Sequence, residues 1–228
     1  MSKIMVVSHA GAMGTADDSL DSVKIGIELQ ADVVELDIRF DGSLPVLSHD
    51  PIKPNKKYET VYDAVSLISK ANQLGINADM KEKESPDGLL ALKEIFEHFN
   101  MKDRMYFTGI DECNGELLQK IFPDYEFLTN WNINPLKYGS DVYLQRLVRT
   151  AKDNGFTGFN LNYRYVTEKM IEFYHSHNMK IYVWTMEKES DMERLAKWGV
   201  DSITTRNPPL LQIVLKRCKL EENDADTV

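Results

Sequence analysis

The chain has 228 residues, 43% hydrophobic and 28% charged, which suits one full-sized soluble domain with a substantial core. Its 27 Lys and Arg against 36 Asp and Glu give a net charge of −9, arguing against nucleic acid or an anionic membrane surface as partner, because both reward a basic face. No apolar run approaches transmembrane length, the apolar stretch after Met1-Ser2-Lys3 is too short for a signal peptide, and Cys113 and Cys218 have neither metal-ligand spacing nor the density of a disulfide framework; a cytoplasmic protein without a membrane anchor is expected.

Along the chain, short apolar runs alternate with longer amphipathic ones. The pattern predicts a strand over 4–8 and a helix over 19–30. Strands over 33–38, 76–80, 105–108 and 127–129 follow, separated by helices over 61–73, 89–100 and 116–122. A helix over 142–154 leads to a strand over 158–161. A helix over 167–177 precedes the strand over 180–184, and one over 189–197 precedes the strand over 202–204. A last helix covers 209–219. Ser19 and Thr167 suit N-caps, and Gly155 and Gly199 follow helical runs. Strands alternating with helices imply a parallel sheet. Eight such units without a linker or composition break favour a closed (β/α)8 TIM barrel over an open doubly wound sheet. The expected organisation is a single barrel domain over 1–220 and an acidic, frayed tail over 221–228. The sequence does not fix an oligomeric state.

One run breaks the alternation. Residues 45–48 come soon after Ile38, with Asp41-Gly42 between, and Asp-Gly between apolar runs is a hairpin signal. The second barrel strand is therefore expected to extend into a hairpin whose return arm brings His49 beside Glu35 and Asp37. Those two carboxylates share one face of an otherwise apolar strand. Their burial without a counter-charge is costly, so a cation is expected between them.

Catalytic residues of this architecture sit at the C-terminal ends of the strands. Reading those ends yields Ser8-His9, Glu35 and Asp37, Asp79 and Lys81, Thr108, Asn130, Asn160 and Asn162, Trp184-Thr185 and Thr204-Thr205. Glu35, Asp37 and Asp79 form an all-oxygen set, which selects Mg²⁺ or Ca²⁺ over zinc. His9 and His49 flank that set, and Lys81 shares a strand face with Asp79. Two histidines beside a metal and an ammonium suit phosphodiester cleavage: one ring takes a proton from the attacking hydroxyl, the other gives one to the leaving oxygen, and the cations offset phosphoryl charge. Taken singly, each feature has a plainer reading. Glu-x-Asp on a strand is more often a salt-bridged pair, Asp-x-Lys a surface ion pair, and Trp184 core or pocket wall. Asp50 either orients His49 or caps a turn, His98 is late in a helix, and His175 and His177 complement a helix C-terminus. The signal is the conjunction of matched chemistry at several strand ends.

These residues, in this order, resemble the glycerophosphodiester phosphodiesterase family. The motifs are His9-Ala10-Gly11, Glu35-Leu36-Asp37, Asp41-Gly42-Ser43-Leu44-Pro45-Val46-Leu47-Ser48-His49-Asp50 and Asp79-Met80-Lys81. Late in the chain come Trp184-Thr185 and Gly199-Val200-Asp201-Ser202-Ile203-Thr204-Thr205. The likeness runs from about residue 4 to 210, and its first fifty residues look the most specific. It implies a (β/α)8 barrel that splits a glycerophosphodiester into glycerol phosphate and an alcohol. It implies His9 and His49 as the acid/base pair, Glu35, Asp37 and Asp79 as metal ligands, Lys81 as a phosphate contact and Trp184 as part of the substrate wall. The partner would be a small-molecule phosphodiester. Four departures stand out. Ala10 occupies the position of a phosphate-gripping arginine, for which few residues substitute. Asp79 replaces a glutamate. Ala16-Asp17-Asp18-Ser19 replaces Pro-Glu-Asn-Thr, and only residues 51–60 stand where a longer insertion covers the pocket. The Asp-x-Lys motif and the missing arginine also resemble the related sphingomyelinase D-like phospholipases. Activity on another phosphodiester, and a weakly catalytic barrel that binds a phosphorylated ligand or a protein partner, are the alternatives; an unrelated barrel isomerase or lyase fits poorly, since the loops at 185–187 and 205–208 are poor in glycine.

Overall fold

The computed structural model describes residues 3–71, 73–83, 85–111, 115–130 and 140–225. Helices and strands alternate through them. In chain order they are β1 (Met5–Ser8), α1 (Leu20–Glu28), β2 (Val33–Asp41), β3 (Leu44–Leu47), α2 (Val61–Ser69), β4 (Gly75–Met80), α3 (Pro86–His98), β5 (Met105–Ile110) and α4 (Glu116–Ile121). Then come β6 (Glu126–Thr129), α5 (Asp141–Asp153), β7 (Gly158–Asn162), α6 (Glu168–Ser176), β8 (Lys180–Met186), α7 (Glu189–Lys197), β9 (Ser202–Thr205) and α8 (Pro208–Ala225). Eight strands are parallel neighbours in the order β1-β9-β8-β7-β6-β5-β4-β2, and β1 pairs back onto β2. The ring is thus closed, as the (β/α)8 reading expected. β3 lies outside it, antiparallel to β2.

Period-two alternation sorts the side chains. Val34, Leu36 and Ile38 of β2, Ile76, Ala78 and Met80 of β4, and Phe107 of β5 join the large apolar cluster between barrel and helices. Val33, Val7, Tyr106, Leu128 and Tyr182 form a second, smaller cluster inside the barrel. There the Tyr106 and Tyr182 rings meet edge-on at 5.0 Å between centroids. Glu35 and Asp37 follow Val33 on the inward face of β2, above that plug. The β2–β4 register sets Glu35 opposite Asn77 and Asp37 opposite Asp79. The polar cluster is therefore a direct product of strand register.

Local chemistry explains the ends of the elements. The Ser19 side chain accepts from the Ser22 amide and Thr167 accepts from Met170, as N-caps do. Gly155 and Gly199 adopt φ of +73° and +80° just beyond α5 and α7. The hairpin forms with its loop shifted by one residue from the expected Asp41-Gly42. Asp41 pairs with Leu44 inside the ladder, and Gly42-Ser43 makes the turn, with Gly42 at φ +64°. α3 starts earlier than the apolar pattern predicted, because Ser85 caps it and Pro86 fits its first turn. α8 continues to Ala225, so the first part of the acidic stretch expected to fray is helical. Residues 226–228 and Cys113 lie outside the described residues; Cys218 is a buried free thiol. Among the described residues no helix is long and apolar enough to cross a membrane.

Candidate active site

The C-terminal ends of the strands enclose a cavity of about 610 Å³, a volume suited to a small molecule. Glu35, Asp37 and Asp79 are buried at its floor, and each places a carboxylate oxygen within 4.8 Å of the others. Thr108 and Gly109 hold Asp79 from the next strand. The Thr108 hydroxyl lies 3.2 Å from Asp79 Oδ1 and 2.8 Å from Asn77 Oδ1. A Cβ at residue 109 would fall 2.4 Å from Asp79 Oδ1, and Gly109 has φ +75°. Only glycine fits that close approach.

Lys81 answers part of the charge. Its Nζ lies 2.5 Å from Asp79 Oδ2 and 3.0 Å from Asp37 Oδ1. Burial works against the ammonium, yet Asp79 and Asp37 outweigh it and hold Lys81 protonated above the usual lysine range. Three carboxylates against one ammonium leave two negative charges, the complement of a divalent cation. Glu35 Oε2 is buried with no hydrogen-bond partner among the described residues, an expensive state unless a cation meets it. The donor set and this orphaned oxygen together fit a hard divalent ion.

The same deficit raises proton affinity in the ion-free protein. Burial, reinforced by Asp79, pushes Glu35 well above the usual carboxylate range, and burial with the Glu35 charge does the same to Asp37. A carboxyl raised by folding contributes stability that is fully present below its unfolded value and lost as pH rises through its folded one. The window runs from the ordinary carboxylate range to about 8. The ion-free protein is therefore expected to melt several degrees lower at pH 9 than at pH 6. A tenfold change in proton affinity is worth about 1.4 kcal/mol, and 1 kcal/mol moves the midpoint by roughly 2–4 °C for a chain of this size. Glu35→Gln should flatten the trend. Thermal melts in chelator decide it, and an unchanged slope in that variant would reject the assignment.

His9 and His49 reach the cavity from different elements. His9 follows β1, and its amide donates to the Thr205 carbonyl at 3.0 Å. Its Nδ1 lies 2.6 Å from the Ala10 carbonyl. A carbonyl only accepts, so Nδ1 carries the proton and Nε2 of the neutral ring is an acceptor. His49 follows the hairpin's return arm. The Ser48 amide donates to the Asp37 carbonyl at 2.9 Å, the His49 amide to Asp18 Oδ2 at 2.8 Å, and Arg39 Nε to the His49 carbonyl at 3.1 Å. The His49 ring lies 3.4 Å from the Asp50 carboxylate. Across the cavity, Trp184 Nε1 donates to the Asn160 carbonyl at 3.1 Å, fixing the indole. Asn130 Oδ1 accepts from the Gly109 amide at 2.9 Å. All seven residues singled out from sequence, His9, His49, Glu35, Asp37, Asp79, Lys81 and Trp184, line this one cavity. The remaining histidines lie apart: His98 stacks on the Tyr62 ring, His175 pairs with Asp201 at 2.9 Å, and His177 Nδ1 bonds the Phe173 carbonyl.

Sequence reading did not give site roles to four further lining residues, Asp17, Asp18, Lys56 and Arg206. Asp18, at φ +55°, anchors the His49 amide. Arg206 meets Asp17 at 2.9 Å across a separation of 189 residues, and no local pattern announces such a contact. The available hints were the Asp17-Asp18 departure from the expected motif and the position of Arg206 directly after a barrel strand.

Residues 63–210 match the model of the Glycerophosphoryl diester phosphodiesterase family. The matched stretch contains Asp79, Lys81 and Trp184 and begins after the first fifty residues. A glycerophosphodiester phosphodiesterase of Caldanaerobacter subterraneus is 23% identical over 237 residues, an alignment covering 92% of this chain and 96% of that protein. An Oleispira antarctica phosphodiesterase, solved in complex with the product sn-glycerol-3-phosphate, superposes with a TM-score of 0.78 at 16% identity, over 93% of this chain and 96% of its own. A glycerophosphodiester phosphodiesterase from Parabacteroides distasonis gives a TM-score of 0.76 at 18% identity, over 94% and 97%. At these identities the structural likeness speaks to the shared fold.

Proposed function

The chain belongs to the glycerophosphoryl diester phosphodiesterase family, a family of phosphoric diester hydrolases, and we propose from that premise that it hydrolyses a glycerophosphodiester to glycerol phosphate and an alcohol with a divalent ion and two histidines. The observation that carries this reading is the convergence of three buried carboxylates, whose charge Lys81 only partly balances, at the floor of the cavity that His9 and His49 also line. Glu35, Asp37 and Asp79 would hold Mg²⁺ or Ca²⁺, and the ion would supply Lewis-acid stabilisation of negative charge on the phosphoryl oxygens. Lys81, kept charged by its two carboxylates, offsets part of that charge as well. One histidine removes a proton from the attacking hydroxyl while the other protonates the departing oxygen. The Nδ1 contact of His9 keeps its Nε2 free for proton transfer, and Asp50 beside His49 suits a ring that carries positive charge in part of the cycle. Trp184, pinned by Asn160, forms an apolar wall for the substrate.

A panel of glycerophosphodiesters, lysophospholipids and sphingomyelin tests this, read for both products with Mg²⁺, with Ca²⁺ and with chelator. Ion-dependent release of glycerol phosphate from a glycerophosphodiester is expected. Turnover confined to choline lysophospholipids or sphingomyelin would favour the sphingomyelinase D-like alternative. Ligand binding without turnover across the panel would reject the hydrolase.

A further inference from the structure

The cavity floor, with an ion bound, is close to neutral: three carboxylates, Lys81 and a divalent cation cancel. A phosphodiester brings one further negative charge and two non-bridging oxygens that need donors. Lys81 is already committed to Asp79 and Asp37, and Ala10 beside His9 has no polar side chain. Among the described residues, the remaining cations that line the cavity are Lys56 and Arg206. Lys56 belongs to an exposed loop and holds its Nζ over the Tyr58 ring at 4.6 Å.

Arg206 is built differently. It directly follows β9, and its own carbonyl accepts the Met13 amide at 2.9 Å, next to the 3.0 Å bond from the His9 amide to Thr205. Its backbone is therefore stitched to the loop that carries His9 and Ala10. Its Nη1 meets Asp17 Oδ1 at 2.9 Å, a contact that occupies one of the five guanidinium N–H donors. The pair lies above Gly11, which sits at φ +76°. A Cβ there would fall 2.0 Å from Asp17 Oδ1 and 3.0 Å from Arg206 Nη1, so this glycine makes room for the pair. An ion pair this exposed, with side chains 40% and 57% accessible, is worth little to folding.

We infer that Arg206 is the guanidinium that grips the phosphoryl oxygens of the substrate, delivered from the loop after the last strand and oriented by Asp17, in a role Ala10 cannot fill. This inference rests on the hydrolase reading above. A planar fork of donors matches a phosphodiester bidentately, as an ammonium does not.

Arg206→Ala, Arg206→Lys and Lys56→Ala in the full chain test it, with inorganic phosphate as the binding probe and the best diester of the panel as substrate. Loss of a charge-assisted contact is expected to weaken phosphate binding and raise KM by roughly 10–100-fold in Arg206→Ala. Arg206→Lys should recover only part of the loss, and Lys56→Ala should change both quantities by less than about threefold. If the wild type turns over and Arg206→Ala keeps its KM and phosphate affinity within twofold, the inference fails and the hydrolase reading stands. The inference also fails if the loss follows Lys56 instead. If no diester is hydrolysed, the hydrolase reading fails, while a loss of phosphate affinity confined to the Arg206 variants would still assign the anion grip.

Discussion

His49→Ala is expected to lower kcat by on the order of 10²–10⁴-fold, the usual range for removing a general acid or base, with the melting point nearly unchanged. The His49 side chain is 65% exposed, and the contacts that anchor its segment are made by its backbone amide and carbonyl to Asp18 and Arg39. Truncation removes the ring and keeps those bonds. His9→Ala is expected to cost a similar factor. The double variant should fall well short of the product of the two losses if both rings serve one proton-transfer sequence, because groups acting as a unit are not additive. Steady-state kinetics on one diester, with melts of each variant, provide the measurement. Activity within tenfold of wild type in the double variant would remove both histidines from the mechanism.

Stripping divalent ions is the second large effect. Dialysis against chelator should reduce turnover by on the order of 10³-fold or more, the kinetic equivalent of the several kcal/mol a bound cation supplies to a developing oxyanion. Adding back Mg²⁺ or Ca²⁺ should restore it. Asp79→Asn should reproduce most of the loss at any ion concentration below millimolar, since it keeps the shape but removes one of three charges and half of the Lys81 clamp. The competing view is that Lys81 alone neutralises the site. It predicts full activity in chelator and a severe loss in Lys81→Ala only. The orphaned Glu35 Oε2 argues against that view, because Lys81 is engaged by Asp37 and Asp79.

The barrel was legible because its signal is repetitive: alternation of short and long apolar periods survives an error at any one element. The inward row on β2 and β4 was legible for the same reason, since side-chain direction on a strand follows from parity alone. Boundaries were less so. Asp-Gly marks a hairpin but does not say which two residues form the loop, and here the ladder extended through Asp41 to pair with Leu44. A helix start such as Pro86 precedes the first apolar contact and is read from its cap instead. The far side of the site was hidden for a deeper reason. Asp17, Asp18 and Arg206 acquire roles by meeting residues remote in sequence, through loop geometry that no periodicity encodes.

The hairpin has a consequence for how such a site can change. A single ribbon running from Val33 through the return arm to His49 carries two of the three carboxylates and one of the two histidines, held together by its own ladder and by the bond from the Ser48 amide to Asp37. Other lining residues come from elsewhere, from Asn130, Asn160 and Trp184 on or just after later strands, with Trp184 the proposed substrate wall. Under the proposed reaction, part of the ion-holding and proton-transfer chemistry therefore sits on one continuous ribbon and the proposed substrate wall on separate strands, so the wall can vary without disturbing the ribbon's own ladder.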